Sequence, residues 1–408
     1  MGEVLFQVKG GTPRTLRGIN DRVTLDLLLE RGPLSRTQVG ELTGLSKPTA
    51  SQLLSRLQDA GLVVTQGIEN NGRGPKAQLY AIDPTAGYAA GVDVTSTRVA
   101  AAVADVTGCV VGRSVVPTPR RGSVGPEAAV TEAVDAACAE AGIDRNLLRQ
   151  VAIGTPGAFD PQTQHFRYAR HLAGWHTPGL LDRLSDALQV PTEVANDVNL
   201  AAIAEQAVGV ARGVDDFVLL FAENGLGAAI VIDGRVHAGA TGGAGEVGFL
   251  PVAGAPLVRD VRRTNSGGFQ DVAGGPQVLA LARSVGLRAR TPEQAMRVAL
   301  DGAEGAAEFL QTVGARFAVG IAAIVAVVDP ALVVLSGSVL TAGGEALLKI
   351  IAAELNSIAA AQPRLELAAV NEEPVLTGAL HRALELARQD IFDTTSTQDI
   401  SHTTRRIR

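Results

Sequence analysis

The stretch Pro33-Leu34-Ser35-Arg36-Thr37-Gln38, followed by Gly44-Leu45-Ser46-Lys47-Pro48, decides how the N-terminal region is read. Ser35 is placed to cap a helix, and Gln38 can close a capping box back onto it. That helix is expected to turn Val39 and Leu42 inward and to stop at Gly44, where a tight turn is tolerated. Ser46 then offers a second N-cap, with Pro48 just inside the next helix. The spacing therefore predicts two short helices around a four-residue turn, a helix-turn-helix.

The second helix, Lys47 to Ala60, sets Leu53, Leu54 and Leu57 on a stripe with helical spacing. Its other face carries Ser46, Lys47, Thr49, Ser51, Gln52 and Arg56, short polar and cationic groups suited to base edges and phosphates in a major groove. After Gly61, Leu62 to Thr65 and Ala77 to Ile82 alternate like two strands around a Gly- and Asn-rich turn from Gly67 to Pro75. This is the pattern of a wing, with Arg73 and Lys76 placed to reach a phosphate or a minor groove. The same residues also suit an ordinary helical domain with a solvated polar face.

Residues 1 to 83 carry ten Lys plus Arg against eight Asp plus Glu, while the whole 408-residue chain has net charge −6. A broadly basic, non-specific DNA binder is excluded, and affinity has to come from a local patch with a modest number of phosphate contacts. The length allows two or three domains. The longest apolar run, Phe317 to Val328, is too short to span a bilayer and reads as a buried helix followed by a strand at Ala331 to Leu335. With no signal-peptide pattern and only Cys109 and Cys138, a cytoplasmic location without disulfides or membrane partner is expected. Residues 1–18 are expected to be flexible, Glu3-Val4-Leu5-Phe6-Gln7 being similar to a protease-recognition remnant. The Thr-, Ser- and Arg-rich tail 392–408 is expected to be disordered.

From Tyr88 three strand-like stretches, Ala89–Val94, Arg98–Ala104 and Cys109–Val116, precede a helical stretch Pro126–Ala141 and a buried strand Val151–Gly154 that ends in Thr155-Pro156-Gly157. A second such unit begins near Asp216 with Phe217 to Phe221. The reading is α/β, two lobes with a cleft between them.

Six motifs, in order and spacing, carry a resemblance to a known family: Gly91-Val92-Asp93-Val94, Thr155-Pro156-Gly157, Gly174-Trp175, Ala195-Asn196-Asp197-Val198-Asn199-Leu200, Asn224-Gly225-Leu226-Gly227 and Gly245-Glu246-Val247-Gly248. The chain resembles the ROK family of repressors and sugar kinases, in its regulator branch with an N-terminal winged helix, over roughly Ile19 to Asp390. The resemblance implies a two-lobed actin-like ATPase body behind a winged helix-turn-helix. It divides the chain into a winged helix at 19–83, a first lobe at 84–197 completed by a C-terminal helix at 376–391, and a second lobe at 198–375. It implies that Asn196 and Glu246 contact sugar hydroxyls and that Asp197 stands where the kinases keep their general base. Gly157 and Phe249 join the implied ligand site. For Asp197 and Asn199 a structural role, capping the helix from Leu200 to Ala207, is also open and compatible with ligand contact.

The chain departs from the kinase pattern at four places. Asp93-Val94-Thr95-Ser96-Thr97 lacks both glycines of the first phosphate loop, and a phosphate approaches backbone N–H groups closely only where no Cβ intrudes. Glu223 aligns with the first glycine of the second phosphate loop. Leu335-Ser336-Gly337-Ser338 replaces a glycine pair at the adenosine loop. Phe249, Arg262, Thr264 and Phe269 occupy the zinc-ligand positions, and none is a tetrahedral zinc ligand. Arg259, Arg262 and Arg263 fit either an anion site or a solvated loop. The expectation is a non-enzymatic repressor without metal or cofactor. It binds a double-stranded operator as a homodimer or homotetramer and senses a carbohydrate-type effector. The alternatives are an active ATP-dependent sugar kinase with a DNA-binding arm, and a scaffold that needs no ligand.

Overall fold

The computed structural model describes residues 13–69, 77–118, 125–160, 165–167, 172, 174–175, 177–258 and 267–403. The N-terminal part is built from α1 (Pro13–Arg31), β1 (Leu34–Ser35), α2 (Arg36–Thr43), α3 (Lys47–Asp59), β2 (Val63–Glu69) and β3 (Ala77–Ile82). Ser35 and Gln38 form the full capping box, and Gly44 ends α2 in the left-handed conformation at φ 71°. Ser46 caps α3 through Thr49, with Pro48 in the first turn. Leu53, Leu54 and Leu57 are buried beside Val39, whereas Leu42 is 44% exposed. The inward placing of Leu42 is corrected: three positions after Val39 on a helix of only eight residues, it has passed the edge of the core.

The three strands order as β1-β3-β2, with a register shift in β2 between Thr65 and Ile68. The expected wing tip, with Arg73 and Lys76, lies at 70–76, outside the described residues. The expected flexible N-terminus is corrected in part, because α1 begins at Pro13 and supplies Leu25 and Leu28 to the winged-helix core.

The body holds two five-stranded sheets of one plan. In the first lobe β4 (Tyr88–Val94) pairs antiparallel with β5 (Arg98–Asp105), which pairs antiparallel with β6 (Val110–Pro117). Through α4 (Pro126–Ala141) the chain returns to β7 (Leu148–Thr155), parallel to β4. A small ribbon, β8 (Ala158–Asp160) and β9 (His165–Arg167), and α5 (Leu180–Leu188) then lead to β10 (Thr192–Asn196), parallel to β7.

The second lobe repeats this order. It comprises α6 (Asp197–Val208), β11 (Phe217–Ala222), β12 (Leu226–Ile232), β13 (Arg235–Val236), α7 (Gln270–Ala273), α8 (Gly275–Ser284), α9 (Pro292–Leu300), α10 (Ala306–Val328), β14 (Leu332–Ser336), α11 (Ser338–Ile358) and β15 (Arg364–Leu367). Its sheet runs β13-β12-β11-β14-β15, again two antiparallel strands on one side of the first and two parallel strands on the other. By length and composition α10 could cross a membrane. Here Phe309, Val313, Phe317 and Ile321 pack into the second-lobe core.

The chain ends in α12 (Pro374–Thr403), which returns to the first lobe. The alternation of β5 explains how it docks. Val99, Ala101 and Val103 face the core under α4, while Ala100, Ala102 and Ala104 form a shallow surface for Leu376, Leu380, Ala383 and Leu384 of α12. The expected disordered tail after Ile391 is corrected: the helix continues to Thr403, and Ile391 and Phe392 are buried in the winged-helix core together with Val106. Arg22 stacks over the Phe392 ring at 5.2 Å, which fixes this junction from the other side.

Candidate functional site

On α3, Lys47, Thr49 and Gln52 are exposed and Ser51 is half-buried. Ser46 is exposed too, but its hydroxyl is engaged by the Thr49 N–H and, at 2.8 Å, by the Thr49 hydroxyl. Arg56 points elsewhere. Its guanidinium forms a two-pronged pair with the buried Asp21 of α1, Nε lying 3.2 Å from Oδ2 and Nη2 reaching Oδ1. This pair ties α3 to α1 and draws Arg56 toward Asp21, away from the exposed Lys47 and Gln52. Arg36 is likewise committed, donating to the Tyr80 hydroxyl at 2.6 Å and lying over its ring.

The second candidate site is a cleft of about 790 Å3 between the lobes. Gly157, Asn196, Asp197 and Glu246 all line it, although they come from three parts of the chain. The Asn196 side chain joins two of them. Its Nδ2 donates to the Gly157 carbonyl at 3.2 Å, while its Oδ1 accepts the N–H groups of Val198 and Asn199. Asn196 is therefore the N-cap of α6. The expected capping by Asp197 and Asn199 is off by one to three positions, because the strand β10 runs to Asn196 and the helix starts directly behind it.

Gly245 holds the other wall. Its φ is 91°, and a Cβ there would sit 1.9 Å from the Ala228 carbonyl oxygen, so the close approach that presents Glu246 needs glycine. Phe249 lies outside the lining. After Glu246 the chain closes a 3-10 turn that carries Val247 and Leu250 into the second-lobe core, and Phe249 goes with it, half-buried. Its expected place in the ligand site is corrected accordingly.

The cleft is acidic. Burial pushes Asp197 up to about 7 against the Val198 N–H that favours its charge, and neighbouring Asp93, Glu223 and Glu246 push it further. Burial also raises Asp93, to about 6, although Arg98 opposes this. Glu223 and Glu246 are raised as well, each first by burial. Arg98 and Glu373, 275 positions apart, are cleft residues that no local signal in the sequence discloses. Arg98 Nη1 donates to Glu373 at 2.7 Å and Nη2 lies 3.5 Å from Asp93, while Arg113 holds the other Glu373 oxygen at 3.1 Å.

The first phosphate loop is filled from within. Thr95 Oγ1 accepts the N–H groups of Arg98 and Thr97 at 3.1 and 3.4 Å and donates to the Arg98 carbonyl at 3.0 Å. The turn thus closes on itself with the donors a phosphate would need. Of the zinc positions, Arg262 and Thr264 lie outside the described residues, as do Arg259 and Arg263. Phe269 is fully buried and meets Phe317 edge-on at 6.2 Å. Aromatic packing stands where a thiolate would be needed, so these residues do not fit zinc. Among the described residues no three His, Cys, Asp or Glu side chains are grouped to hold a metal ion.

Comparison with known proteins agrees with this architecture. The ROK family model matches residues 89–385, and the MarR family model matches residues 23–74. The DNA-binding transcriptional dual regulator NagC of Escherichia coli K12 is 25% identical over 381 residues, 90% of this chain and 92% of its own. The xylose repressor of Bacillus subtilis is 23% identical over 249 residues, 58% of this chain and 61% of its own. A solved ROK family transcriptional regulator, homologous to the Escherichia coli MLC protein, superposes with a TM-score of 0.74 at 18% identity, covering 94% of this chain and 99% of its own. The ROK hexokinase of Thermus thermophilus superposes with a TM-score of 0.64 at 27% identity, covering 74% and 99%. With a MarR-type winged helix ahead of a two-lobed body that the family model spans almost entirely, the chain belongs to the ROK family.

Proposed function

We propose that the protein is a sequence-specific DNA-binding transcription regulator, acting as a repressor, whose body senses a sugar or sugar-derived effector without phosphorylating it. One observation carries the reading. Helix α12 begins with Pro374 and Val375 in the wall of the cleft and buries Ile391 and Phe392 in the core of the winged helix. A single rigid element therefore touches both the place where an effector would sit and the domain that would hold DNA, which is what coupling between two sites requires. Effector binding that favours one lobe arrangement would move α12 and with it the winged helix. A full switch from bound to free needs about a 10⁴-fold preference of the effector for one state.

The operator-bound form in this reading is a cytoplasmic homodimer or homotetramer on a pseudo-palindromic site, with half-sites one helical turn or a multiple apart. The names of the relatives, an N-acetylglucosamine repressor and a xylose repressor, support a carbohydrate effector. The rival reading, an active sugar kinase, draws on Asp93, Asp197 and Glu246 all lining the cleft and on the likeness to the Thermus hexokinase.

Two measurements separate the readings. Anisotropy with labelled DNA from the protein's own genomic neighbourhood should show binding that falls when one sugar of a panel is added. A coupled ADP-release assay over the same panel should show no turnover. Steady ADP release dependent on a sugar would establish the kinase instead.

A further inference from the structure

The walls of the cleft constrain the charge of what enters it. Among the described residues lining it stand five carboxylates, Asp93, Asp197, Glu223, Glu246 and Glu373, against the guanidinium of Arg98. Arg98 is not available to a ligand, because Asp93 and Glu373 already hold it. Backbone donors are spent in the same way. The turn after β4 gives its N–H groups to the Thr95 hydroxyl. Glu223 stands beside the start of the 21-residue helix α11, whose N-cap Gly337 packs so closely on Ala222 that a Cβ would fall 2.4 Å from the Ala222 carbonyl oxygen, and the Ser338 N–H there favours the charged form of Glu223. Beside it the Ser338 hydroxyl donates to Glu293 at 2.6 Å, which adds a second negative charge at the same helix end. Burial leads the upward shifts of Asp93, Asp197, Glu223 and Glu246, and neighbouring carboxylates add to those of Asp93, Asp197 and Glu223, so a further negative charge among them is unwelcome.

Resting on the sensor reading above, we propose that the cleft takes an uncharged or amine-bearing sugar and rejects its phosphorylated form, and that Glu223 enforces the rejection from the cleft wall beside the N-terminus of α11. A phosphate brings close to two negative charges at neutral pH and would meet a tethered carboxylate there. Specificity built from a repulsive group discriminates between ligands identical in every hydroxyl. An amine gains from the same carboxylates that exclude the phosphate.

The test is calorimetric titration of the full-length protein at pH 8 with matched ligands: glucose, glucosamine and glucose 6-phosphate, then N-acetylglucosamine and its 6-phosphate, and xylose. The expected result is measurable affinity for at least one unphosphorylated sugar and binding of its 6-phosphate weaker by roughly 100-fold. Glu223→Gln should narrow that gap by about tenfold, and Glu223→Ala, checked by thermal unfolding, serves if the amide variant misfolds. A 6-phosphate that binds as tightly as its parent sugar, or more tightly, overturns this proposal and leaves the sensor reading standing. An unchanged gap in both folded variants overturns the assignment to Glu223. A panel in which no sugar and no phosphate binds overturns the sensor reading itself, and this inference with it.

Discussion

Lys47 and Gln52 stand on the open face of α3, while Arg56, about one turn beyond Gln52, is folded back onto Asp21. Sequence spacing put all three in one group, because a helix face shows which residues share a side and not what meets them there. Replacing Lys47 or Gln52 with Ala should weaken operator binding about tenfold each and leave thermal unfolding unchanged. Arg56→Ala should instead lower stability by about 1–2 kcal/mol, since it strands a buried carboxylate. Anisotropy and melting curves on the three variants decide this, and undiminished operator binding by both Lys47→Ala and Gln52→Ala would remove α3 as the reading helix. Asp197 gives a second expectation at this scale. Its folded pKa of about 7 lies above the ordinary 3.8, so between these values the folded chain holds a proton that the unfolded chain has lost. Stability must then fall as pH rises through that window and level off above it, the reverse of a salt-bridged carboxylate. Asp93, raised to about 6, adds to the same slope over the lower part of the range. Asp197→Asn should become progressively more stable than the parent from about pH 4 to 7, as read from urea midpoints at pH 4.5, 6 and 8. A constant difference across the three pH values would show that the carboxyl is not desolvated.

At the scale of elements, α12 shows both how far the sequence could be read and where it stopped. Strands β4, β5 and β6 and helix α4 follow from alternation and from Pro126 and Gly142 at the ends of the helical run, signals that are local and complete in themselves. The cleft residues Asn196, Asp197 and Glu246 were legible because Asn-Asp and Gly-Glu-x-Gly are contiguous motifs. Arg98 with Glu373 was not, since its meaning depends on two loops that meet only in the folded chain. The continuation of α12 past Ile391 was hidden for a related reason. A Thr- and Ser-rich segment carries no apolar period of its own, and Ile391 and Phe392 find their partners among Leu25, Leu28 and Val106, far back in the sequence. The docking of α12 against α6 relies on Gly378, where a Cβ would fall 1.8 Å from the Leu200 carbonyl oxygen. Gly378→Ala therefore forces the two helices apart and should cost roughly 1–3 kcal/mol. If α12 carries the signal, the same variant should blunt the effect of sugar on operator affinity while operator affinity itself persists. Equal responses in parent and variant, with the stability loss confirmed, would place the coupling elsewhere.

Across the whole molecule, the winged helix is not a self-contained unit. Its core is completed by Val106 from the first lobe and by Ile391 and Phe392 from the far end of the chain, and Arg388 donates to the Val106 carbonyl at 2.9 Å to hold the three parts together. A small domain that borrows apolar area from its neighbour is weaker alone, because little core remains once the borrowed side chains leave. The arrangement also makes the DNA-binding part responsive: any shift of α12 is felt inside its hydrophobic core and not merely at a linker. Ending the chain after Asp390 should therefore unfold the winged helix at a lower temperature than the body and split one melting transition into two. Loss of the Phe392 side chain alone should contribute about 3 kcal/mol to this effect. Operator binding should fall with it, whereas sugar binding, which depends on residues that line the cleft far from this end of α12, should persist in calorimetry. Ending the chain after Thr403 keeps both aromatic and aliphatic anchors and should change neither property. A chain ended after Asp390 that melts in one transition and binds operator as the parent does would show that the winged helix stands without α12, and the route from cleft to DNA would have to run through another contact.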